Sequence, residues 1–398
     1  MNRFCFSLLS ILISVIAFSA SLDETALSIL RGSSSFRSGS LSLLSLEETL
    51  KTDGNLPDPQ FEGEFLAAPK GETDRWGAEL SWSLEWPGVY SERKKESDLR
   101  LLAAKERLNY DRAEKLGNIK SLLLDFIFCS KKLDVINGLQ QSNDSIFHYA
   151  EVSAKNGQIT MLDLNKIRLE KANVTAAKAG VLNERAEIIN SLTEIYGDDC
   201  SNLLAGLNCE FPEIYIPSET EMDMISKNSP DFKSALAETE AARRGKKLAL
   251  MEALPNISFG YKHAFEDGVH FNGATLGISL PLFSSHNKQK AAQAIILENE
   301  FNIEASASAA SAEANALLNQ LKLMKDQIDT IQPVLLNTDH SALLIKAYEE
   351  GLISMIDYLT ERNYFTSAHL ELLSLRLSAA KAQICLLKFI DPQNYQIN

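Results

Sequence analysis

From Trp76 to Trp86 apolar and polar side chains alternate without a fault. Trp76, Ala78, Leu80, Trp82, Leu84 and Trp86 point one way, and Gly77, Glu79, Ser81, Ser83 and Glu85 the other. A period of two with one apolar face predicts a strand over 76–86. Ala274, Leu276, Ile278, Leu280 and Leu282 alternate in the same way with Thr275, Gly277, Ser279 and Pro281, which predicts a second strand over about 271–283. Shorter alternations, Phe61-Glu62-Gly63-Glu64-Phe65 and Ile257-Ser258-Phe259-Gly260-Tyr261, predict strands near 60–67 and 256–265. The two longer strands have about the ten residues that cross a bilayer at the tilt of a membrane barrel. Trp76 and Trp86 stand at both ends of one of them, where interfacial aromatics belong, although a half-buried sheet of a soluble protein gives the same alternation.

The rest of the chain runs on a different period. No proline occurs between Pro87 and Pro212, and from Leu282 to Asn398 the only glycine is Gly351, with Pro333 and Pro392 as further breakers. These stretches predict long helices. Apolar residues recur every seventh position at Ile167, Val174, Val181, Ile188 and Ile195, and again at Phe365, Leu372, Ala379 and Leu386 with a second seam at Leu370, Leu377 and Ile384. Such seams mean helices packed along their lengths. The alanine-rich run Ala305–Ala316 lets neighbouring helices approach closely.

The segments recur in order. Leu56-Pro57-Asp58 returns as Leu254-Pro255-Asn256, Gly77-Ala78-Glu79-Leu80 as Gly273-Ala274-Thr275-Leu276, and Gly157-Gln158-Ile159-Thr160-Met161-Leu162-Asp163 as Gly351-Leu352-Ile353-Ser354-Met355-Ile356-Asp357. The chain therefore reads as a tandem repeat of helix, strand, strand and long helical hairpin, over 21–206 and 207–398. The hairpins span about 91–196 and 286–390. In the third pair Gly157 and Gly351 stop a helix in the left-handed conformation, and Thr160 and Ser354 cap the next one, with Asp163 and Asp357 three positions on. A helix of the length of the first arm extends roughly 100 Å. Four amphipathic strands cannot close a barrel, and unpaired edges cannot be left in hydrocarbon, so several copies must pool their strands. The fold class expected is mainly α with a small membrane β-barrel.

Residues 1–20 read as a cleaved signal peptide: Arg3 is the positive start, Phe4 to Phe18 the apolar core, and Ala17-Phe18-Ser19-Ala20 the cleavage zone. No later window is apolar enough to span a membrane as a helix. The 53 acidic and 39 basic side chains leave a net charge of −14, which argues against a nucleic-acid partner. The motifs HExxH, CxxC and GxxxxGK[ST] are absent, so zinc and phosphate-loop chemistry has no support; no cofactor, metal or enzymatic activity is expected. Cys200 and Cys209 fall in the linker between the repeats, where an oxidising compartment permits a local disulfide or two free thiols. Cys129 and Cys385 fall in helical seams and are expected to be buried. His263 and His270 flank the loop between the last two strands, with nothing in the sequence to make them ligands.

At this point the chain resembles the TolC-like outer-membrane efflux proteins over nearly its whole mature length. The resemblance rests on the strand ending Gly277-Ile278-Ser279-Leu280-Pro281-Leu282-Phe283 and on the turn motif after each long helix. It implies a homotrimer with a twelve-strand barrel in outer-membrane lipid atop a periplasmic α-helical barrel. It also implies a passive exit duct for a tripartite efflux or type I secretion system, joined to a periplasmic adaptor (membrane fusion) protein and an inner-membrane transporter. Asp163, Tyr348 and Asp357 match the family's aperture residues, although capping alone also explains the two acids. Ile159, Met161, Ile353 and Met355 are either docking residues for the adaptor at the hairpin tips or buried within them. Some positions depart from the family: Ser153 and Ala347 stand where arginine is common, Ile353 replaces a latch arginine and Thr360 a second acid. Gly32-Ser33-Ser34-Ser35 erodes the leading helix of the first repeat. The alternatives are a structural coiled-coil envelope protein, which leaves the strands unexplained, and a periplasmic adaptor subunit, which would carry one helical hairpin rather than two.

Overall fold

The computed structural model describes residues 21–228, 230–280, 287–336 and 340–390. The signal peptide expected at 1–20 and the strand ending Pro281-Leu282-Phe283 lie outside the described residues. The first half of the chain forms α1 (Leu22–Gly32), α2 (Ser34–Thr52), β1 (Gln60–Leu66), β2 (Arg75–Leu84), α3 (Pro87–Lys155), α4 (Met161–Tyr196) and α5 (Ser201–Ala205). The second half forms α6 (Glu219–Asn228), α7 (Pro230–Met251), β3 (Asn256–Glu266), β4 (Val269–Ser279), α8 (Lys288–Leu336), α9 (His340–Glu349) and α10 (Met355–Ile390). Among the described residues no helix is long and apolar enough to cross a membrane.

Several boundaries differ from the sequence pattern for local reasons. The strand expected over 76–86 ends at Leu84, because Pro87 opens α3 at the first helical position, where its missing N–H is no loss. The fourth strand starts at Val269 rather than 271, because Asp267 and Gly268 (φ 51° and 83°) make a two-residue turn with both residues left-handed, which suits the strand twist. Pro333 does not break its helix; α8 runs on to Leu336. The leading helix expected to be eroded is present as α1 and α2, separated by Ser33 in extended conformation.

By contact the chain divides into two compact units. One unit comprises, of the described residues, those within 35–115, 215–323 and 382–390 and contains the sheet, which is antiparallel in the order β1-β2-β3-β4. Leu80 faces Phe61 on one side and Tyr261 on the other, and Phe259 faces Leu276. This register puts most of the apolar residues of the four strands on one face, together with His263, His270 and Asn272 beside the β3–β4 turn, while Leu66, Val269 and Phe271 fall on the other. Its helices pack through small side chains, with Ala103, Ala113, Ala237, Ala241, Ala310 and Ala314 buried.

The other unit comprises, of the described residues, those within 21–34, 116–214 and 324–381. Its core contains Ile29, Leu30, Leu116, Ile119, Leu123, Leu124 and Ile127, all essentially without solvent contact. In the first hairpin Cys129, Leu133 and Ile136 of α3 pack on Val174 and Val181 of α4, with Ile188 half-buried beside them, so three members of the seven-residue seam lie at the helix contact. In α10 Leu372 and Ala379 are buried, and Phe365 half-buried.

Candidate functional site: the strand sheet and the hairpin turns

The sheet presents an apolar face that nothing in its unit covers. Leu276 is 78% and Phe61 75% exposed, and Phe65, Trp76, Leu80, Ile257, Phe259, Tyr261 and Ile278 are exposed on the same face. The opposite face contains Glu62, Glu64, Glu79, Ser81, Ser83, Lys262 and Thr275, with Leu66, Val269 and Phe271 toward the turn end, since side chains alternate along each strand. Glu79 accepts a hydrogen bond from Thr275 at 2.9 Å and meets Lys262 at 4.0 Å. β1 and β4 each have one strand neighbour, so both edges of the sheet are unpaired among the described residues. An uncovered apolar face on a soluble protein would be a liability, and two open edges invite further pairing.

The hairpin turns are built by backbone geometry. Gly157 has φ 73° and Gly351 φ 71°, the left-handed region that favours glycine. Gly157 N–H donates to the carbonyl of Ala154 and Gln158 N–H to that of Ser153; Gly351 and Leu352 repeat the pattern on Tyr348 and Ala347. These paired bonds close both helices with the same αL stop, a Schellman motif. Ser153 and Ala347, where arginine is common in the family resembled, supply the outermost carbonyl of each motif.

The helices that follow are capped alike. Thr160 accepts from the amide of Asp163 at 3.1 Å and donates to its carboxylate at 2.7 Å. Ser354 does the same with Asp357, at 3.1 and 2.7 Å, and its own amide also donates to the Asp357 carboxylate at 3.2 Å. The hydrogen bonds from Ser354 hold the Asp357 carboxyl below its ordinary value. Asp357 is exposed and Asp163 half-buried, so capping leaves each with some solvent-facing charge.

Both turns pack around one apolar cluster. Ala150, Leu164, Ile167, Tyr358 and Leu359 form its buried centre, and Ile159, Ile353, Met355 and Tyr348 pack half-buried against it. Of the four tip residues singled out in the sequence, only Met161 is exposed, as are Leu162 and Leu352. Tyr348 stacks at a tilt on Tyr358 with ring centroids 5.8 Å apart, and burial pushes its phenol up. Among the described residues its hydroxyl has no hydrogen-bond partner.

Deeper in this unit lies a group that the sequence pattern did not single out. Arg362 is 8% exposed and donates to Asn143 at 2.7 Å and to Glu170 at 3.4 Å, joining α10, α3 and α4. Burial lowers its pKa against the upward pull of Tyr358 and Glu170. A signal existed, since Arg362 lies four residues after Tyr358 on the apolar side of its helix.

Cys200 and Cys209 are not bonded. Cys200 is buried with its sulfur 3.2 Å from the Thr193 hydroxyl, while the Cys209 thiol turns to the carbonyl of Leu207 at 3.7 Å. Cys129 is buried, and burial raises its thiol pKa. Cys385, expected to be buried, is exposed, because Ala382, Gln383 and Leu386 take the inward positions of the helix. Among the described residues no group of three or more His, Cys, Asp or Glu is placed to hold a metal ion.

No family model and no curated protein matches the sequence. Solved structures do. A membrane protein from Pseudomonas aeruginosa superposes with TM-score 0.77 at 14% identity, over 93% of this chain and 90% of that one. The CmeC outer membrane channel of Campylobacter jejuni gives TM-score 0.77 at 16% identity, over 93% and 85%. The open state of the MtrE outer membrane channel of Neisseria gonorrhoeae gives 0.75 at 13%, over 93% and 88%. The fold is TolC-like, predominantly helical with a small four-strand antiparallel sheet.

Proposed function

We propose that this chain is an outer-membrane channel, the passive exit duct of a tripartite efflux or type I secretion system. The sheet carries the argument: an apolar face without cover, interrupted beside the β3–β4 turn by His263, His270 and Asn272, an opposite face rich in Glu, Ser, Thr and Lys, and two unpaired edges. In hydrocarbon every strand edge must be paired and every lipid-facing side chain apolar, and a barrel pooled from several copies satisfies both requirements. The polar faces then line a lumen. Three copies of the four-strand sheet make the twelve-strand barrel, and the long helices of the same copies form the periplasmic conduit. The likeness in fold to the CmeC and MtrE channels supports the reading.

On this reading the chain is exported by a signal peptide at 1–20. The hairpin turns face the inner membrane, and the exposed Met161, Leu162 and Leu352 offer an apolar docking surface to a periplasmic adaptor, which links the duct to an inner-membrane transporter. Asp163 and Asp357 bring negative charge to the inner aperture while still capping their helices. The two halves of the chain, each helix, strand, strand and hairpin, are repeats of one unit. The test is single-channel recording of the purified chain in planar bilayers, with cross-linking for stoichiometry. Discrete conductance steps from cross-linked trimers are expected; a chain extracted from membranes by high salt or alkali, with no conductance, would overturn the proposal.

A further inference from the structure

His263 on β3 and His270 on β4 stand diagonally across the last two strands, near the turn at Asp267 and Gly268. Nδ1 of His263 lies 2.7 Å from Oδ1 of Asn272, and the Tyr261 hydroxyl donates to that same oxygen at 2.8 Å. An amide oxygen only accepts, so Nδ1 of a neutral His263 carries the proton and its Nε2 is left with a free electron pair. That Nε2 is 3.3 Å from Nδ1 of His270. The rings are ordered by aromatic neighbours: Trp76 lies 5.1 Å from His263, and Phe265 4.8 Å from His270, between ring centroids.

We infer that His263 and His270 form a binding site for a divalent cation of the zinc and copper class, with Asn272 as the residue that positions it. Two nitrogens bound at 2.0–2.1 Å to a tetrahedral ion stand about 3.3–3.4 Å apart, so the separation already matches, and the rings, now joined by an N–H···N hydrogen bond, need only rotate to converge on the ion. His270 takes the Nε2–H tautomer, its Nδ1 electron pair turns with that of His263 onto the ion, and no proton is released. His270 and Asn272 are exposed on the two rungs of the apolar face next to the turn, at its rim rather than its middle, where water completes the coordination. Imidazole nitrogen selects zinc, copper and nickel over calcium and magnesium. Asn272 stands where an outer hydrogen-bond partner fixes the tautomer of a metal-ligating histidine. A bound ion would clip β3 to β4 beside the turn. This end of the sheet is the one remote from α3 and α7, because β2 leads into α3 and α7 leads into β3 at the other end. Its position at the exterior mouth rests on the proposed function; the binding itself does not.

The full chain without a polyhistidine tag, purified in detergent, is titrated with ZnCl2 by calorimetry, with MgCl2 as control. Cu2+ loaded at one equivalent is read by electron paramagnetic resonance for nitrogen coupling. One zinc per chain is expected, no magnesium binding, and coupling from two imidazole nitrogens. His270→Gln, on the exposed edge strand, should weaken zinc at least about tenfold, and Asn272→Ala about 10–100-fold, the usual loss for an outer partner. His263→Gln tests the second ligand, and since it also disturbs the Trp76 packing, His270→Gln is the deciding variant. Equal zinc affinity in the parent and His270→Gln, or coupling from a single nitrogen, overturns the site. A chain that binds zinc but conducts no current leaves this inference standing and removes the channel.

Discussion

One oxygen of Asp357 accepts both hydrogen bonds from Ser354, and the other is left to solvent. The cap and the aperture therefore use different parts of one carboxylate, and Asp357→Asn separates them. The amide keeps an oxygen for the Ser354 donors but loses the charge. Three charged copies around one axis attract cations, so the variant should show weaker block by multivalent cations and altered cation selectivity in bilayer recordings. Unchanged block with only lower thermal stability would leave capping as its sole role. The pH dependence has a definite sign. Because the folded carboxyl lies below its ordinary 3.8, the cap is fully present at neutral pH and is lost as pH falls through the lowered value. Thermal stability of the hairpin should stay flat from about pH 8 to 5 and fall only below about pH 4. Gly157 and Gly351 make a simpler case, since a Cβ added at either meets no atom within 4 Å. Valine there would cost only the strain of a left-handed backbone, roughly 1–2 kcal/mol, and should misalign the turn. Efflux and adaptor cross-linking at parental levels in both valine variants would show that the αL stops are dispensable.

At the scale of elements the alternating strands and the seven-residue seams were legible because each sets a stripe of apolar side chains along one face, at the period of its backbone. Val174 and Val181 lie in a helix contact, and Leu80, Tyr261, Ala274 and Phe61 stand across one face of the sheet. Ends were less legible, since Pro87 and the Asp267-Gly268 turn outweigh periodicity within a residue or two. Polar groups were the least legible. Nothing local in Arg362, Asn143 and Glu170 says that three helices bring them within hydrogen-bonding distance, or that His263 and His270 meet across two strands. The Arg362 network has a testable weight: Arg362→Ala strands the buried amide of Asn143 and should destabilise the fold by about 1–3 kcal/mol in thermal or denaturant unfolding. A loss under about 0.5 kcal/mol, the range of ordinary surface substitutions, would show the site to be solvated in practice. The sheet face is tested by Leu80→Lys with Leu276→Lys. Each lysine at mid-bilayer costs about 2–4 kcal/mol, so the double variant should fail to assemble in membranes. Normal insertion and oligomer yield would mean that this face does not meet lipid.

For the whole molecule the open question is how many chains close the sheet, and barrel geometry narrows it. One chain gives four strands, too few to enclose anything. Two copies give eight, and an eight-strand barrel has an interior that its own side chains fill. Such a dimer would bury Glu62, Glu64, Glu79 and Lys262 from each copy in a lumen without water, at a cost that unpaired charges rarely meet. Three copies give twelve strands, with room for those groups to stay hydrated and for solute to pass. The outer edges of β1 and β4 would pair between neighbouring copies all the way round, leaving no edge open. Native mass spectrometry of the chain in detergent should therefore show three chains, and a cross-linking ladder should stop at the third rung. The complex should dissociate together with loss of strand signal, because the barrel exists only in the closed ring. A stable dimer, or a monomer that keeps its strands in lipid, would contradict the pooled barrel and the duct it makes possible.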